Sequence, residues 1–318
     1  MHISLLLILV AAIVAMPAHA HAWGGGTHLQ VGLSVLENLD LIPAGIAAIL
    51  AANPRDYLYG CVAADIIVGK KYTHYLLNCH RWGIGRKVLE AARTDSERAC
   101  AYGYLSHLAA DAISHNYYVP YKVMRSFASV TMKHTYWEMR FETFVDKQAW
   151  EEARAVCRSD QRANDVMLRS VLTATLFSFG TNKRIFNSIM LLSRLERWQR
   201  IMHTLSSNSR YVLADSDRDE YLRLTKAAVF DYLQHPEGAE VMRLDPTGER
   251  ALAMAEAFRK NLRLLYKSGR LTKSEGVEQV EALREKLRRA LYEPELLEQL
   301  HRKKRGILSA VFGRRARR

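Results

Sequence analysis

The segment Y-G-Y-L-S-H-L-A-A-D-A-I-S-H, residues 102–115, constrains the chain more than any other. On a helix, residues four apart share a face. A helix here therefore sets His107 beside Asp111. Their neighbours Leu105, Leu108, Ala109, Ala112 and Ile113 are apolar. A carboxylate buried in such company without a metal or partner costs several kcal/mol. The fold must bring that partner. A second pair, His134 and Glu138, follows in K-H-T-Y-W-E, with His115 between the two pairs. Imidazole nitrogen and carboxylate oxygen together suit zinc and similar borderline metals. One such pair is usually an ordinary hydrogen-bonded or solvated couple. Two pairs within 32 residues point to a polynuclear zinc hydrolase.

The upstream sequence offers further ligands. Asp65 ends the apolar run D-Y-L-Y-G-C-V-A-A-D. It reads either as an N-cap or salt-bridge partner, or as a metal ligand and general base. His74 and His80 follow it. Trp23 to His28 read W-G-G-G-T-H, where glycines let the backbone come close to a ligand. Before them lies an apolar run over residues 3–16, then A-H-A at Ala20–Ala22. The run is short for a bilayer span and suits a signal-peptide core. Residues 1–22 are thus expected to be a signal peptide, an uncleaved anchor or a cut after Ala20 being the alternatives. Cleavage after Ala22 would free the α-amino group of Trp23 to bind metal beside His28, and the protein would be exported.

The rest of the chain reads as all-α. Its 318 residues contain only seven prolines, and 49% are hydrophobic, as in a globular protein. Long segments rich in Ala, Leu, Glu, Lys and Arg favour helix. Helices are expected over 29–39, 44–52, 81–92, 97–115, 132–155, 166–179, 185–202, 217–234, 249–267, 272–292 and 294–304. Thr94 or Ser96, and Thr272, are the expected caps. Residues 23–160 form the zinc-binding core, 161–235 complete it, 236–300 are charged C-terminal helices and 301–318 a basic tail. That tail carries eight Lys/Arg and no acid, and removing these eight from the net +13 leaves +5. It suggests attraction to an anionic surface, membrane or nucleic acid. A solubilising end is the alternative.

The even count of cysteines (Cys61, Cys79, Cys100 and Cys157) permits two disulfides in an exported chain, Cys61–Cys79 among them, or buried free thiols. Tyr57, Tyr59, Tyr117, Tyr118 and Tyr136 could wall a quaternary ammonium group, although core packing is the commoner use of such residues. Glu142 and Asp146 are candidates to fix histidine tautomers, or solvated helix residues.

Taken in order, W-G-G-G-T-H, A-A-D, C-H-R-W, the 102–115 segment and H-T-Y-W-E resemble the secreted bacterial zinc-dependent phospholipase C family across residues 23–146. The resemblance implies an all-helical zinc bundle of the phospholipase C/nuclease kind, here with added C-terminal helices, holding three zinc ions. It implies that Asp65, His80, His107 and Asp111 hold one ion. His115, His134 and Glu138 would hold a second, and Trp23, His28 and Asp111 a third. His80 is preferred to His74 because it keeps the family's distance from the A-A-D aspartate. Asp65 would double as general base. The implied partner is phospholipid at a membrane surface. The related three-zinc single-strand nucleases also begin W-G but carry Q-P-L-H where A-I-S-H stands here, which favours lipid over nucleic acid. A secreted metal- or lipid-binding protein without activity is the third reading. The spacing from Asp111 to His115 is shorter than the family's. Neither the oligomeric state nor the role of the half after residue 160 can be read from these motifs.

Overall fold

The computed structural model describes residues 24–67, 78–129, 134–173, 177–193, 204 and 213–297. The expected signal peptide 1–22, Trp23, His74 and the tail 301–318 lie outside these residues. Among the described residues there are thirteen α-helices and no strand, so the all-α expectation holds. In chain order they are α1 (Gly25–Leu36), α2 (Ala44–Ala52), α3 (Pro54–Ala63), α4 (Trp82–Ala91), α5 (Asp95–Ile113), α6 (Val119–Arg125) and α7 (His134–Glu142). Then follow α8 (Lys147–Arg158), α9 (Arg162–Val171), α10 (Phe179–Ser193), α11 (Asp215–Gln234), α12 (Glu249–Lys267) and α13 (Lys273–Ala290).

Helix α5 is the axis of the fold. Thr94 caps it through a reciprocal box with Glu97, which satisfies its first free amides. From Gly103 to Ile113 every residue is buried. Helices α1, α2, α3, α4, α9 and α11 pack around it. A helix apolar on all sides is stable only at such a centre. The crossing with α3 is the closest. A methyl group on Gly60 would strike the carbonyl of Cys100, and one on Gly103 that of Tyr57. The Tyr57 hydroxyl donates to Ser106 Oγ across the same crossing at 3.1 Å. These contacts fix the height at which α5 presents His107 and Asp111.

Several element boundaries differ from expectation. The helix expected to reach His115 loses α-periodicity at Ile113 and continues as a π-turn, Ser114–Tyr118, into α6. Tyr117, Tyr118 and Pro120 therefore form no turn out of the helix. The widened turn is compatible with the local backbone because Asn116 Nδ2 donates to Ala112 O at 2.8 Å. The helix expected over 132–155 is two, α7 and α8, broken at Thr143–Asp146, where the Thr143 hydroxyl turns back onto Arg140 O at 2.8 Å. Pro54 opens α3 instead of only ending α2, at the first-turn position proline tolerates. Helices α2 and α12 fall on the expected bounds, and Thr272 caps α13 with Glu275. All four cysteines are free thiols, so no Cys61–Cys79 bridge exists. Among the described residues no helix is long and apolar enough to cross a membrane.

Helices α12 and α13 pack on α6 and on the π-turn. Lys122 and Arg284 join this layer to α11. Lys122 Nζ meets Asp217 Oδ2 at 2.5 Å, and Arg284 Nη2 meets Asp217 Oδ1 and Glu220 Oε2 at 2.7 Å each. The C-terminal third is thereby fastened to the helices that carry the site.

Gly103→Ala should lower stability by about 3 kcal/mol, the upper end of overpacking costs, because backbone and not a flexible side chain opposes the methyl. Urea unfolding would read the loss, and an unchanged midpoint would refute the close crossing.

Candidate metal centre

The first turn of α1 delivers His28. This turn is held by Glu142, at the end of α7. Its carboxylate accepts from Gly26 N at 3.0 Å, Thr27 N at 2.9 Å and Thr27 Oγ1 at 2.5 Å. An anion at a helix N-terminus meets both the free amides and the positive end of the dipole. Burial raises the Glu142 carboxyl, and the Thr27 and Gly26 donors oppose that. Glu142 is therefore neither a solvated residue nor the acceptor for a histidine. It positions α1. Asp146 accepts from Gln30 Nε2 at 2.7 Å, on the same helix.

The 3₁₀ turn Ala64–Ile66 carries Asp65, and the turn before α4 carries His80. Tyr104 OH donates to Cys79 O at 2.5 Å and seats that turn on α5. The Cys79 thiol faces Ala64 O at 3.5 Å and His80 Nδ1 at 3.3 Å, so it lies behind the histidine. His80 Nε2 lies 3.3 Å from Asp65 Oδ1, 3.4 Å from Asp111 Oδ2 and 3.1 Å from His107 Nε2. His107 Nε2 is 3.2 Å from Asp111 Oδ2, and His28 Nε2 is 3.2 Å from Asp111 Oδ1. The rings of His28 and His107 stack with centroids 3.8 Å apart. Asp111 thus receives imidazoles on both oxygens. Burial alone would push its carboxyl up, but His107 and His28 beside it hold it well below the usual carboxylate range. Burial lowers the pKa of His28, so it sits in the cluster as neutral imidazole.

A second set lies alongside. His134 Nε2 is 2.6 Å from Glu138 Oε1, and His115 Nε2 is 3.8 Å from the same oxygen. Burial pushes the Glu138 carboxyl up to about 8. His115 opposes the rise, while Asp111 and Asp65 add to it.

Histidine tautomers follow from backbone acceptors. His107 Nδ1 is 2.9 Å from Cys61 O, and His115 Nδ1 is 2.6 Å from Pro246 O. A carbonyl only accepts, so each Nδ1 bears the hydrogen and each Nε2 turns a lone pair to the cluster. This is the outer support that metal-ligating histidines use. The inward atoms fit a metal. Both Asp111 oxygens, both Glu138 oxygens, His28 Nε2 and His115 Nε2 are buried without a hydrogen-bond partner, which a protein does not tolerate uncompensated. Three groups bring their ligand atoms within 4.8 Å of one another: His28, His107 and Asp111; Asp65, His80 and His107; and His115, His134 and Glu138.

Residues 27–177 match the family described as zinc dependent phospholipase C. That segment, just under half of the chain, is a zinc-dependent phospholipase C family domain. It is a hydrolase, and all eight described site residues fall within the matched segment. Neither a curated protein nor a solved structure matches the chain. The members of the expected tyrosine wall serve elsewhere: Tyr57, Tyr59, Tyr117 and Tyr118 are buried in the core.

Two supports of this centre act in ways that its sequence motifs do not show. One is Glu142. The other is the segment Leu244–Gly248, outside the matched region. Trp82 Nε1 donates to Leu244 O at 2.8 Å, Asn116 Nδ2 to Asp245 O at 2.8 Å, and His115 to Pro246 O. Gly248 follows with φ 55°, and a methyl there would strike His115 itself. Backbone acceptors have no residue type, so only the glycine after D-P-T could have hinted at this clasp.

Gly248→Ala should cost about 2 kcal/mol through left-handed strain and lower the zinc bound per chain, because His115 must shift. Elemental analysis reads the second effect, and full zinc content would refute the clasp. Glu138 gives a pH test on metal-free protein. Its folded value of about 8 exceeds the ordinary 4.5, so the fold holds this proton more tightly than the unfolded chain. The stabilisation is complete below about pH 4.5 and is lost as pH rises toward about 8. Urea midpoints of the chelated parent, relative to chelated Glu138→Gln, should fall across that window. A flat difference would show that Glu138 is not held protonated.

Proposed function

We propose that the chain is an exported phospholipase C that hydrolyses phospholipid to diacylglycerol and a phosphorylated head group. The observation that carries the reading is the buried carboxylate of Asp111, faced on both oxygens by imidazole and without a hydrogen-bond donor. Asp65, His80, His107 and Asp111 would hold one zinc, and His115, His134 and Glu138 a second. His28 and Asp111 would hold a third together with Trp23, once residues 1–22 are removed. Zinc in such a cluster neutralises phosphoryl oxygens, brings the pKa of water to about 7 and stabilises a leaving alkoxide.

The side chains supply the rest. Asp111, with one oxygen toward His28 and the other toward His80 and His107, would serve both of the ions assigned to it. Asp65 is both ligand and general base, taking the proton of the attacking water. Cys61 O and Pro246 O keep His107 and His115 in the ligating tautomer. Glu142 sets the height of His28 through the first turn of α1.

The test uses the mature, zinc-loaded chain. Three zinc ions, an N-terminal Trp23 and hydrolysis of phosphatidylcholine with no cutting of single-stranded DNA are the expected results. Asp65→Asn should lower kcat by about 10³-fold, within the range of a lost general base. Cutting of DNA in place of lipid, or a fully loaded protein inert to both, would overturn the reading.

A further inference from the structure

Helices α12 and α13 are joined by the short turn at residues 268–272, at one end of the layer over α6. This tip is built firmly. Gly269, with φ 70°, ends α12, and Arg270 N closes onto Leu265 O at 3.0 Å, a left-handed helix stop. Thr272 and Glu275 then cap α13 from both sides. On this fixed turn Leu264, Leu265 and Tyr266 are 59%, 38% and 37% exposed. Three consecutive apolar side chains in water at a rigid corner are not scattered surface residues.

Their surroundings are strongly cationic. Residues 259–273 include Arg259, Lys260, Arg263, Lys267, Arg270 and Lys273 and no acid. Lys260, Lys267, Arg270 and Lys273 are exposed. The nearest acids along the chain are Glu256, on the preceding turn, and Glu275, which is engaged in the cap. Apolar side chains rimmed by Lys and Arg are the make-up of segments that lie in a lipid interface, with the apolar part in the acyl boundary and the cations on phosphate.

The position suits a phospholipase. Tyr266 packs edge-on against Phe127 with ring centroids 5.8 Å apart, and Arg259 Nη2 donates to Ser129 O at 2.7 Å. The α12 side of the tip thus abuts the residues just after α6. Helix α13 runs 18 residues away from the tip before the chain continues toward the tail, a rise of roughly 27 Å.

We infer that the α12–α13 tip is a docking surface for anionic phospholipid membrane, with Leu264, Leu265 and Tyr266 entering the interface and Lys267, Arg270 and Lys273 meeting its phosphates. This rests on the lipid-hydrolase reading for the choice of lipid over other polyanions. The experiment uses the full zinc-loaded chain, Lys267→Gln/Arg270→Gln/Lys273→Gln, and Leu264→Ser/Leu265→Ser. Each is mixed with vesicles of phosphatidylcholine alone or with added phosphatidylglycerol. The tail is the same in all three proteins, so its attraction cancels. The charge variant should bind the mixed vesicles about 100-fold more weakly, from roughly fivefold per lost cation. Added salt should shrink that gap. The serine variant should lose binding to both vesicle types. All three should hydrolyse a soluble phosphocholine ester equally, because the tip touches none of the site residues. Equal vesicle binding by the three proteins would overturn the inference. So would self-association of the parent that the serine variant abolishes, which would make the tip a contact between copies. Failure of every version on the soluble ester would instead count against the phospholipase reading, and the vesicle result would still decide the tip.

Discussion

Asp111 is the constraint on which the structure turns. A fully buried carboxylate must be compensated, and among the described residues no Lys or Arg forms an ion pair with it. Three imidazoles converge on it instead, from α1, from the turn before α4 and from α5 itself. A divalent cation held among them would complete the compensation. Much of the helix packing can be read as the means of keeping that convergence: α3 pressed to backbone contact on α5, the Tyr104 tie to Cys79, and Glu142 on the start of α1.

The two halves of the site are supported differently. The Asp65–His80–His107–Asp111–His28 group is built by helices that meet α5 directly. The His115–His134–Glu138 group sits at the far end of α5, where the π-turn and α7 carry it and the backbone of Leu244–Gly248 closes over it. Glu138 stands near the negative charge of Asp111 and Asp65, which contributes to its raised pKa. Charge in one group is therefore felt by the other, and filling one with cations eases ionisation of the next.

The sequence disclosed most of the ligand set because ligands are side chains at helical spacing. His107/Asp111 and His134/Glu138 could be paired on four-residue steps, and the apolar company of Asp111 made burial legible. Helices with clear caps, such as α5 and α13, were legible for the same reason. The break between α7 and α8 was not, since Thr143–Asp146 holds neither Gly nor Pro and the turn is closed by a side-chain hydroxyl. The π-turn was hidden because its residues are compatible with an ordinary helix. Glu142 was legible only as a candidate to fix a histidine tautomer or as a solvated helix acid, because its partners are backbone amides at the start of α1. The carbonyl of Pro246 was beyond any reading of residue types, as it depends on a contact 131 residues along the chain.

That last contact has a consequence for assembly. His115 obtains its fixed tautomer from a carbonyl made long after it in synthesis. A nascent chain that has emerged only through the matched segment already owns every histidine and carboxylate of the centre, yet one ligand still spins freely. Metal loading of that half is in effect time-stamped by the arrival of Leu244–Gly248. The last third of the polypeptide is thus the latch that sets the centre.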